Sequence, residues 1–198
     1  MTSAITSGSN GVLLCSPDRD GANMGKILFR TLDRSDFPLL QQWLSEPHVD
    51  RWWHQPLDLP RLEQKYGPRI DGMEPVHVFI MEYGDRPIGW IQWYRWSDYP
   101  EHAAQLKAGP EAAGIDLAIG EVASIGKGLG PKAIREFVLR VINSEPGITS
   151  VVADPEVQNI RSVRAFEKAG FTAMRTVQVR RESVWRRVML MSLLGFRE

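Results

Sequence analysis

A glycine-rich loop, Gly126-Lys127-Gly128-Leu129-Gly130, carries the clearest chemistry in the sequence. It lies between a predicted strand and an amphipathic helix that has Pro131 near its first turn. Glycines let the backbone approach a ligand closely and adopt a positive φ. A helix N-terminus presents free N–H groups at the positive end of its dipole. The combination favours an anion, most often a phosphate. A glycine-rich turn without a ligand is the alternative that the loop alone leaves open.

Two common phosphate-binding patterns do not fit this loop. A Walker A loop has Lys and then Ser or Thr directly after its last glycine, whereas Gly130 is followed by Pro131 and Lys132. A dinucleotide fingerprint has the spacing G-x-G-x-x-G, whereas the spacing here is G-x-G-x-G. The sequence therefore indicates neither a P-loop nor a dinucleotide fold.

Asp116 is the candidate acid–base residue. Its neighbours Ile115 and Leu117 are apolar and, in a strand, point to the opposite face. A carboxylate in such a strand is costly unless it faces a wet cleft or a partner. Beside an amine, it can hold the ammonium group and help to remove its proton. A structural Asp paired with an Arg or a backbone N–H is the alternative.

Charged and aromatic residues are distributed unevenly. Residues 98–121 carry a net charge of −4, which suits a polycationic ligand. Residues 161–190 carry a net charge of +6, which could attract phosphate groups. The alternative is that both charged segments are solvent-exposed surfaces that bind no ligand. Trp52 and Trp53, beside polar neighbours, are candidates for a pocket wall, because sugar rings and ammonium groups pack on aromatic faces.

The elements that must position these groups alternate between strands and helices. Apolar periodicity predicts strands near residues 27–29, 76–80, 88–96, 115–119, 149–153, 171–179 and 184–194. Helices are predicted from Asp33 or Ser35 to Pro47, over 58–66, around 134–142 and over 159–169, with a loop at 97–113. This order predicts a single mixed α/β domain.

Composition excludes several classes of protein. The 198 residues have a net charge of zero, so nucleic acid is a poor partner, and the single cysteine, Cys15, excludes an internal disulfide framework. No apolar run approaches the ~20 residues of a membrane span. The four histidines show no metal-ligand spacing, so no metal is expected.

Residues 1–24 lack the apolar core of a signal peptide and are interpreted as a flexible extension. A cytoplasmic location is therefore expected.

The glycine loop resembles the acetyl-CoA pyrophosphate loop of the GNAT superfamily of N-acetyltransferases. Downstream, Asn159-Ile160-Arg161-Ser162 and Phe166-Glu167-Lys168-Ala169-Gly170-Phe171 resemble a second signature of that superfamily. Trp52-Trp53, Gly114-Ile115-Asp116 and Asp154-Pro155 resemble the aminoglycoside 6′-N-acetyltransferases, and siderophore-type lysine acyltransferases share parts of this layout. The likeness covers roughly residues 27–194.

The resemblance implies an α/β (α+β) fold over residues 25–198, with a mixed, mostly antiparallel sheet that is splayed at its fourth strand and flanked by helices. It implies acetyl-CoA as co-substrate and direct attack by an acceptor amine, with Asp116 as the catalytic carboxylate and oxyanion donors on the strand from Asp116 to Ala118. The residues expected to bind the cofactor are Ala118, Ile125, Gly126, Lys127, Gly128, Leu129, Gly130, Asn159 and Lys168. Those expected to bind an aminoglycoside are Trp52, Trp53, Tyr66, Glu101, Asp116 and Asp154.

Two residues depart from the family pattern. Ile125 stands where relatives commonly have Arg or Gln, and Phe166 stands where many have a tyrosine credited with protonating the leaving thiolate. Phe166 makes a non-catalytic acyl-CoA-binding domain one alternative to aminoglycoside acetylation. A siderophore or peptide N-acyltransferase is the other, because the siderophore-type enzymes share parts of the layout. Either a monomer or a homodimer is compatible with the sequence.

Overall fold

The computed structural model describes residues 25–54, 58–181 and 183–196. Its strands are β1 (Ile27–Thr31), β2 (Val76–Tyr83), β3 (Arg86–Arg95), β4 (Ala112–Ile119), β5 (Ser150–Ala153), β6 (Thr172–Arg181) and β7 (Val184–Leu194). Its helices are α1 (Phe37–Ser45), α2 (Pro47–Trp53), α3 (Leu59–Ile70), α4 (Pro100–Leu106), α5 (Leu129–Arg140) and α6 (Ile160–Lys168). The predicted extension 1–24, with Cys15, lies outside the described residues.

The strands form one seven-stranded sheet in the order β1-β2-β3-β4-β5-β7-β6. Every neighbouring pair is antiparallel except β4 and β5, which run parallel. That parallel pairing covers only three residue pairs, from Ala112↔Ser150 to Gly114↔Val152. Beyond Gly114 the two strands separate, which confirms the predicted mostly antiparallel sheet splayed at its fourth strand.

Helices cover both faces of the sheet. On one face, α5 and α6 pack through Phe137 and Phe166 against the odd-numbered side chains of β3 and β4. On the other face, α1, α2 and α3 pack around Trp43 and Trp90, whose rings stack at 6.1 Å. The two faces of β4 therefore contact separate apolar cores.

Two short helices were not predicted. The first helix ends at Ser45, just before Pro47 as expected, but Pro47 also begins α2. Pro100 begins α4 inside the expected loop 97–113. Proline suits a first helical position because its missing N–H is not needed there. The helix predicted over 58–66 also continues to Ile70, through Pro68.

Position 120, just after β4, requires glycine because it lies against the core formed by α1–α3. A Cβ at this position would lie 2.1 Å from the Cγ atom of Trp43, which is 1% exposed. We expect Gly120→Ala to lower the free energy of unfolding by about 1–3 kcal/mol, because a packed ring must shift. Urea unfolding with Gly130→Ala as the control tests this, since a Cβ at Gly130 would meet its nearest atom at 3.8 Å. Equal losses in the two variants would contradict the packing argument.

Candidate active site

A cleft of about 240 Å³ lies where β4 and β5 separate. Its lining comes from both faces of the sheet: Trp52, Trp53, His54, Lys65, Arg69, Gln92, Ile115, Asp116, Leu117, Asp154, Pro155, Glu156, Asn159, Phe166 and Arg186. The structure thus brings together five residues predicted from sequence: Trp52, Trp53, Asp116, Asp154 and Asn159.

The register of β3 and β4 determines which backbone groups face the gap. The Gly120 N–H donates to the Ile88 carbonyl at 2.9 Å, so this is a hydrogen-bonded pair. Such pairs alternate along an antiparallel ladder. Ala118 and Asp116 therefore use their backbone groups to pair with β3, whereas the N–H groups of Ile115 and Leu117 point towards the open edge. The Ile119 carbonyl also faces that edge, where it contacts the His48 Nε2 atom at 2.9 Å.

Ala118, which was expected to bind the cofactor, does not line the cleft. Its backbone faces β3, and its side chain packs against the α1–α3 core. Leu117, its neighbour, presents its backbone to the gap and lines the cleft. Sequence alternation identified the strand but could not show which residues pair with β3, because that depends on the register.

Asp116 is anchored by a neighbouring strand. The Gln92 Nε2 atom donates to the Asp116 Oδ2 atom at 3.0 Å, and the two residues are direct cross-strand partners. Both side chains are on the face that α3 covers, since Gln92 also contacts Arg69 of that helix. Neither Gln92 nor Arg69 was singled out in the sequence, because their roles follow from pairing of distant segments.

Asp154 and Asn159 lie on the loop between β5 and α6. This loop is fixed to β7, because the Met189 N–H donates to the Pro155 carbonyl at 2.8 Å and the Val157 N–H donates to the Arg187 carbonyl at 3.0 Å. Asn159 caps α6 by accepting from the Ser162 N–H at 3.1 Å, as the capping alternative predicts, and it also lines the cleft. Asp154 contacts the His102 Nε2 atom at 3.5 Å.

The aromatic wall is formed by α2. Trp52 and Trp53 are both half-buried, and the Trp53 ring packs on buried Trp90 with centroids 4.9 Å apart. His54 ends the helix in a left-handed conformation with φ = 46°. Trp53 therefore combines the predicted wall position with core packing.

Tyr66 and Glu101, which were expected to contact the acceptor, do not line the cleft. Tyr66 is 0% exposed within the α1–α3 core, and burial raises the pKa of its hydroxyl to about 12. The position of Tyr66 in α3 fits a core residue as well as it fits a residue that contacts the acceptor. Glu101 is exposed in the first turn of α4.

The glycine loop has the geometry that backbone recognition of an anion requires. Gly126 and Gly128 have φ = 77° and 75°, and a Cβ at either position would meet open space. Gly128 is the N-cap of α5, so the free N–H groups of the first helical turn begin directly after it. Lys127 is exposed, Ile125 is half-buried and the Leu129 side chain is buried in the core beneath α5.

The loop is next to the cleft because α5 and α6 touch. A Cβ at Gly130 would lie 3.8 Å from the Ala165 Cβ atom, and the following residue, Phe166, lines the cleft. The Phe166 ring has no hydroxyl and packs on Phe171 with centroids 5.0 Å apart. Lys168, expected to bind the cofactor, is exposed at the end of α6, and its carbonyl accepts from the Arg135 guanidinium at 2.6 Å.

The charges in the cleft are more balanced than the sequence segments suggested. Of the five acidic side chains in residues 98–121, only that of Asp116 lines the cleft. Arg186, from the basic run, enters the cleft but pairs with Glu156. The lining holds three carboxylates, Asp116, Asp154 and Glu156, and three cations, Lys65, Arg69 and Arg186.

No cluster of three or more His, Cys, Asp or Glu side chains within residues 25–54, 58–181 and 183–196 could hold a metal ion. None of the helices in these ranges combines the length and apolar character that crossing a bilayer requires.

Known proteins resemble this chain in sequence and in fold. Residues 33–179 match the family described as Acetyltransferase (GNAT) domain. Aminoglycoside N(6′)-acetyltransferase type 1 of Klebsiella pneumoniae is 30% identical over 154 residues, which are 76% of each chain. Lysine N-acyltransferase MbtK of Mycolicibacterium paratuberculosis is 25% identical over 135 residues, which cover 68% of this chain and 60% of that relative.

A solved structure agrees with these matches. The aminoglycoside acetyltransferase AAC(6′)-Ib in complex with coenzyme A and kanamycin superposes with a TM-score of 0.75 at 28% identity, over 85% of this chain and 95% of that one. The resemblance drawn from the two sequence signatures is confirmed. The chain belongs to the GNAT family and is an acetyl-CoA-dependent N-acetyltransferase.

Proposed function

We propose that this enzyme acetylates the 6′-amine of an aminoglycoside and thereby confers resistance to the antibiotic. The observation that carries the proposal is the cleft through the splayed sheet, which is lined by the carboxylates Asp116 and Asp154 together with Trp52 and Trp53 of α2. The relatives named for 6′-acetylation are similar over most of the chain and give the acceptor class. The enzyme works in the cytoplasm, where acetyl-CoA is available.

Each side of the cleft has a separate task. Gly126 to Gly130 bind the diphosphate of acetyl-CoA through backbone N–H groups, and Asn159 contacts the pantetheine arm. The thioester then lies beside β4, where the Leu117 N–H is directed into the gap. This N–H stabilises the oxyanion that forms when the amine attacks.

Asp116 binds the acceptor ammonium and takes its proton. The amine attacks the thioester carbonyl directly, the tetrahedral intermediate collapses, and the C–S bond breaks to release coenzyme A. Trp52 and Trp53 supply a flat apolar wall for a sugar ring. Because Phe166 has no proton to give, the leaving thiolate is protonated by water or departs as the anion.

A thiol-release assay with neomycin and paromomycin tests the acceptor class and the position together. These two drugs differ only at the 6′ carbon, which carries an amine in neomycin and a hydroxyl in paromomycin. We expect acetyl-CoA-dependent thiol release with neomycin and at least tenfold less with paromomycin, since a hydroxyl is a far weaker nucleophile than an amine. Mass spectrometry of the product should show one added acetyl group on the 6′ nitrogen.

The rival functions predict other results in the same assay. A siderophore or peptide N-acyltransferase would release thiol with hydroxylysine or peptide amines and not with neomycin. A non-catalytic domain would bind coenzyme A without release in the presence of any amine. Equal turnover of neomycin and paromomycin would place the reaction at another amine.

A further inference from the structure

Asp116 is the end of a chain of polar contacts that begins at the surface. The Arg69 Nε atom donates to the Glu74 Oε2 atom at 2.9 Å. The Arg69 Nη1 atom donates to the Gln92 Oε1 atom at 3.2 Å, and Gln92 in turn donates to Asp116 at 3.0 Å. The chain joins the end of α3 to β3 and then to β4.

The guanidinium of Arg69 determines which way the Gln92 amide points. A guanidinium only donates and an ionised carboxylate only accepts. With the amide oxygen towards Arg69, the amide NH2 must face Asp116. The reversed amide would place NH2 against the cation and oxygen against the carboxylate, so both contacts would be repulsive. Gln92 is 8% exposed, and in such a low-dielectric setting these contacts are stronger than in water.

Arg69 is itself held in place from two sides. Its guanidinium carbon lies 5.3 Å from the centroid of the Tyr66 ring, one turn earlier in α3. Glu74 is placed opposite by the end of the helix, because the Met73 and Glu74 N–H groups donate to the Pro68 carbonyl at 2.8 and 3.1 Å. The Arg69 side chain is 15% exposed, so few other orientations are open to it.

We propose that Arg69 is a positioning residue for the acetyl transfer, acting through Gln92 to hold the Asp116 carboxylate in the orientation that accepts the proton of the acceptor amine. The proposal rests on the role of Asp116 in the proposed function. It also gives buried Tyr66 a task, which is to support Arg69 rather than to contact the acceptor.

Other charged groups reach the same cleft from neighbouring elements, and the proposal concerns only the one that contacts Gln92. Those groups are His54 after α2, Lys65 on α3, Asp154 and Glu156 after β5, and Arg186 on β7. Arg186 is paired with Glu156, and Asp154 contacts His102. Arg69 is the residue whose hydrogen bond fixes the amide that bonds to Asp116.

A double-mutant cycle tests whether Arg69 acts through Gln92. We expect Arg69→Gln to lower kcat about tenfold, a part of the roughly 100- to 10,000-fold that a positioned general base contributes. Gln92→Leu should lower kcat to a similar extent, and the double variant should be no worse than Gln92→Leu alone. Multiplicative losses in the double variant would overturn the proposal.

The pH dependence of kcat/KM distinguishes positioning from a merely structural role, because loss of a structural contact would not shift it. If the Gln92 amide is removed or turned the other way, the charged form of Asp116 loses a hydrogen bond. The pKa of that carboxyl should then rise. The acid limb of kcat/KM should therefore move to higher pH in Arg69→Gln, while Arg69→Lys retains part of the activity. A KM increase for the acceptor with unchanged kcat would mean that Arg69 contacts the acceptor directly, and would overturn the proposal.

A second variant keeps the test valid if Arg69→Gln fails to fold. Gln92→Glu keeps the contact with Arg69 but presents an oxygen to Asp116, so the acid limb should again move to higher pH. An unchanged profile would overturn the proposal. Arg61→Gln is the matched control on α3, because Arg61 is exposed, pairs with Asp58 three residues earlier and does not line the cleft. This variant should behave as wild type.

The Asp116→Asn background separates failure of this proposal from failure of the proposed function. If Asp116 is the base, Arg69→Gln should cost nothing further in that background. If Asp116→Asn is inactive but Arg69→Gln behaves as wild type, the positioning role is wrong and the function stands. If Asp116→Asn is fully active, the role of Asp116 is wrong, and the positioning role with it.

Discussion

Replacing Asp116 with Asn should lower kcat about 100-fold, because the amide is nearly isosteric but cannot accept a proton from the acceptor amine. The Gln92 NH2 group can still donate to the Asn oxygen, so the local structure should survive. The Kd of acetyl-CoA should stay near the wild-type value, since the glycine loop and Asn159 are unchanged. Steady-state kinetics with neomycin and calorimetric titration with acetyl-CoA measure the two quantities.

Glu111→Gln is the matched control for this substitution. Glu111 is an exposed carboxylate directly before β4 and does not line the cleft, so its variant should keep the wild-type kcat. Wild-type turnover in Asp116→Asn would make Asp116 a structural residue held by Gln92. A large loss of acetyl-CoA affinity would instead indicate that the variant disturbs β4 as a whole.

Replacing Gly128 with Val should raise the KM for acetyl-CoA at least tenfold. Gly128 has φ = 75°, a conformation that a β-branched residue adopts only with strain, so the loop must change its backbone to relieve it. Each charge-assisted hydrogen bond lost to the diphosphate is worth about 1.5–3 kcal/mol, or roughly 10- to 100-fold in affinity. Steady-state kinetics at saturating acceptor, with acetyl-CoA as the varied substrate, give this KM.

Gly147→Val separates binding from stability. Gly147 has φ = 78° and, like Gly128, open space around a would-be Cβ, but it lies outside the glycine loop, shortly before β5. The two valine variants should lose similar free energy of unfolding, about 1–3 kcal/mol. Only Gly128→Val should change the dependence on acetyl-CoA. An unchanged dependence in Gly128→Val would show that the loop does not hold the phosphates.

Local patterns predicted the parts of the molecule that local physics controls. The apolar positions of α5, such as Ile134, Phe137 and Val138, recur at helical spacing, and all three are buried. Glycine at 126 and 128 indicated a positive φ, which both residues have. The opening of the sheet at Gly114 followed from the family resemblance and not from the residues themselves.

Pro47 and Pro100 both begin helices that were not predicted, and local rules explain why. Proline ends a helix that precedes it and equally begins one that follows it. Pro47 does both at once, since α1 ends two residues earlier and α2 starts at Pro47 itself. Pro100 begins α4 in a segment with few apolar residues, so periodicity gave no signal for that helix.

The inner organisation of the site depends on contacts between distant segments. Arg69 and Gln92 are 23 positions apart, and Gln92 and Asp116 are 24 apart. An isolated glutamine in an apolar strand has no local pattern that marks it as functional. Tyr66 fits an aromatic wall and a core equally well by composition, and only packing of α3 onto β3 places it inside.

The division of β4 between two cores has a consequence for how enzymes of this design diverge. Asp116 and its surroundings are on the face covered by α1–α3, whereas Leu117 and the helices behind it are on the other. Substitutions on the first face can therefore change the acceptor half and leave the donor half untouched, so a different acceptor can be accommodated without loss of the acetyl source. Insertion of a single residue within β4 is the change that neither half tolerates, because it would exchange the two faces.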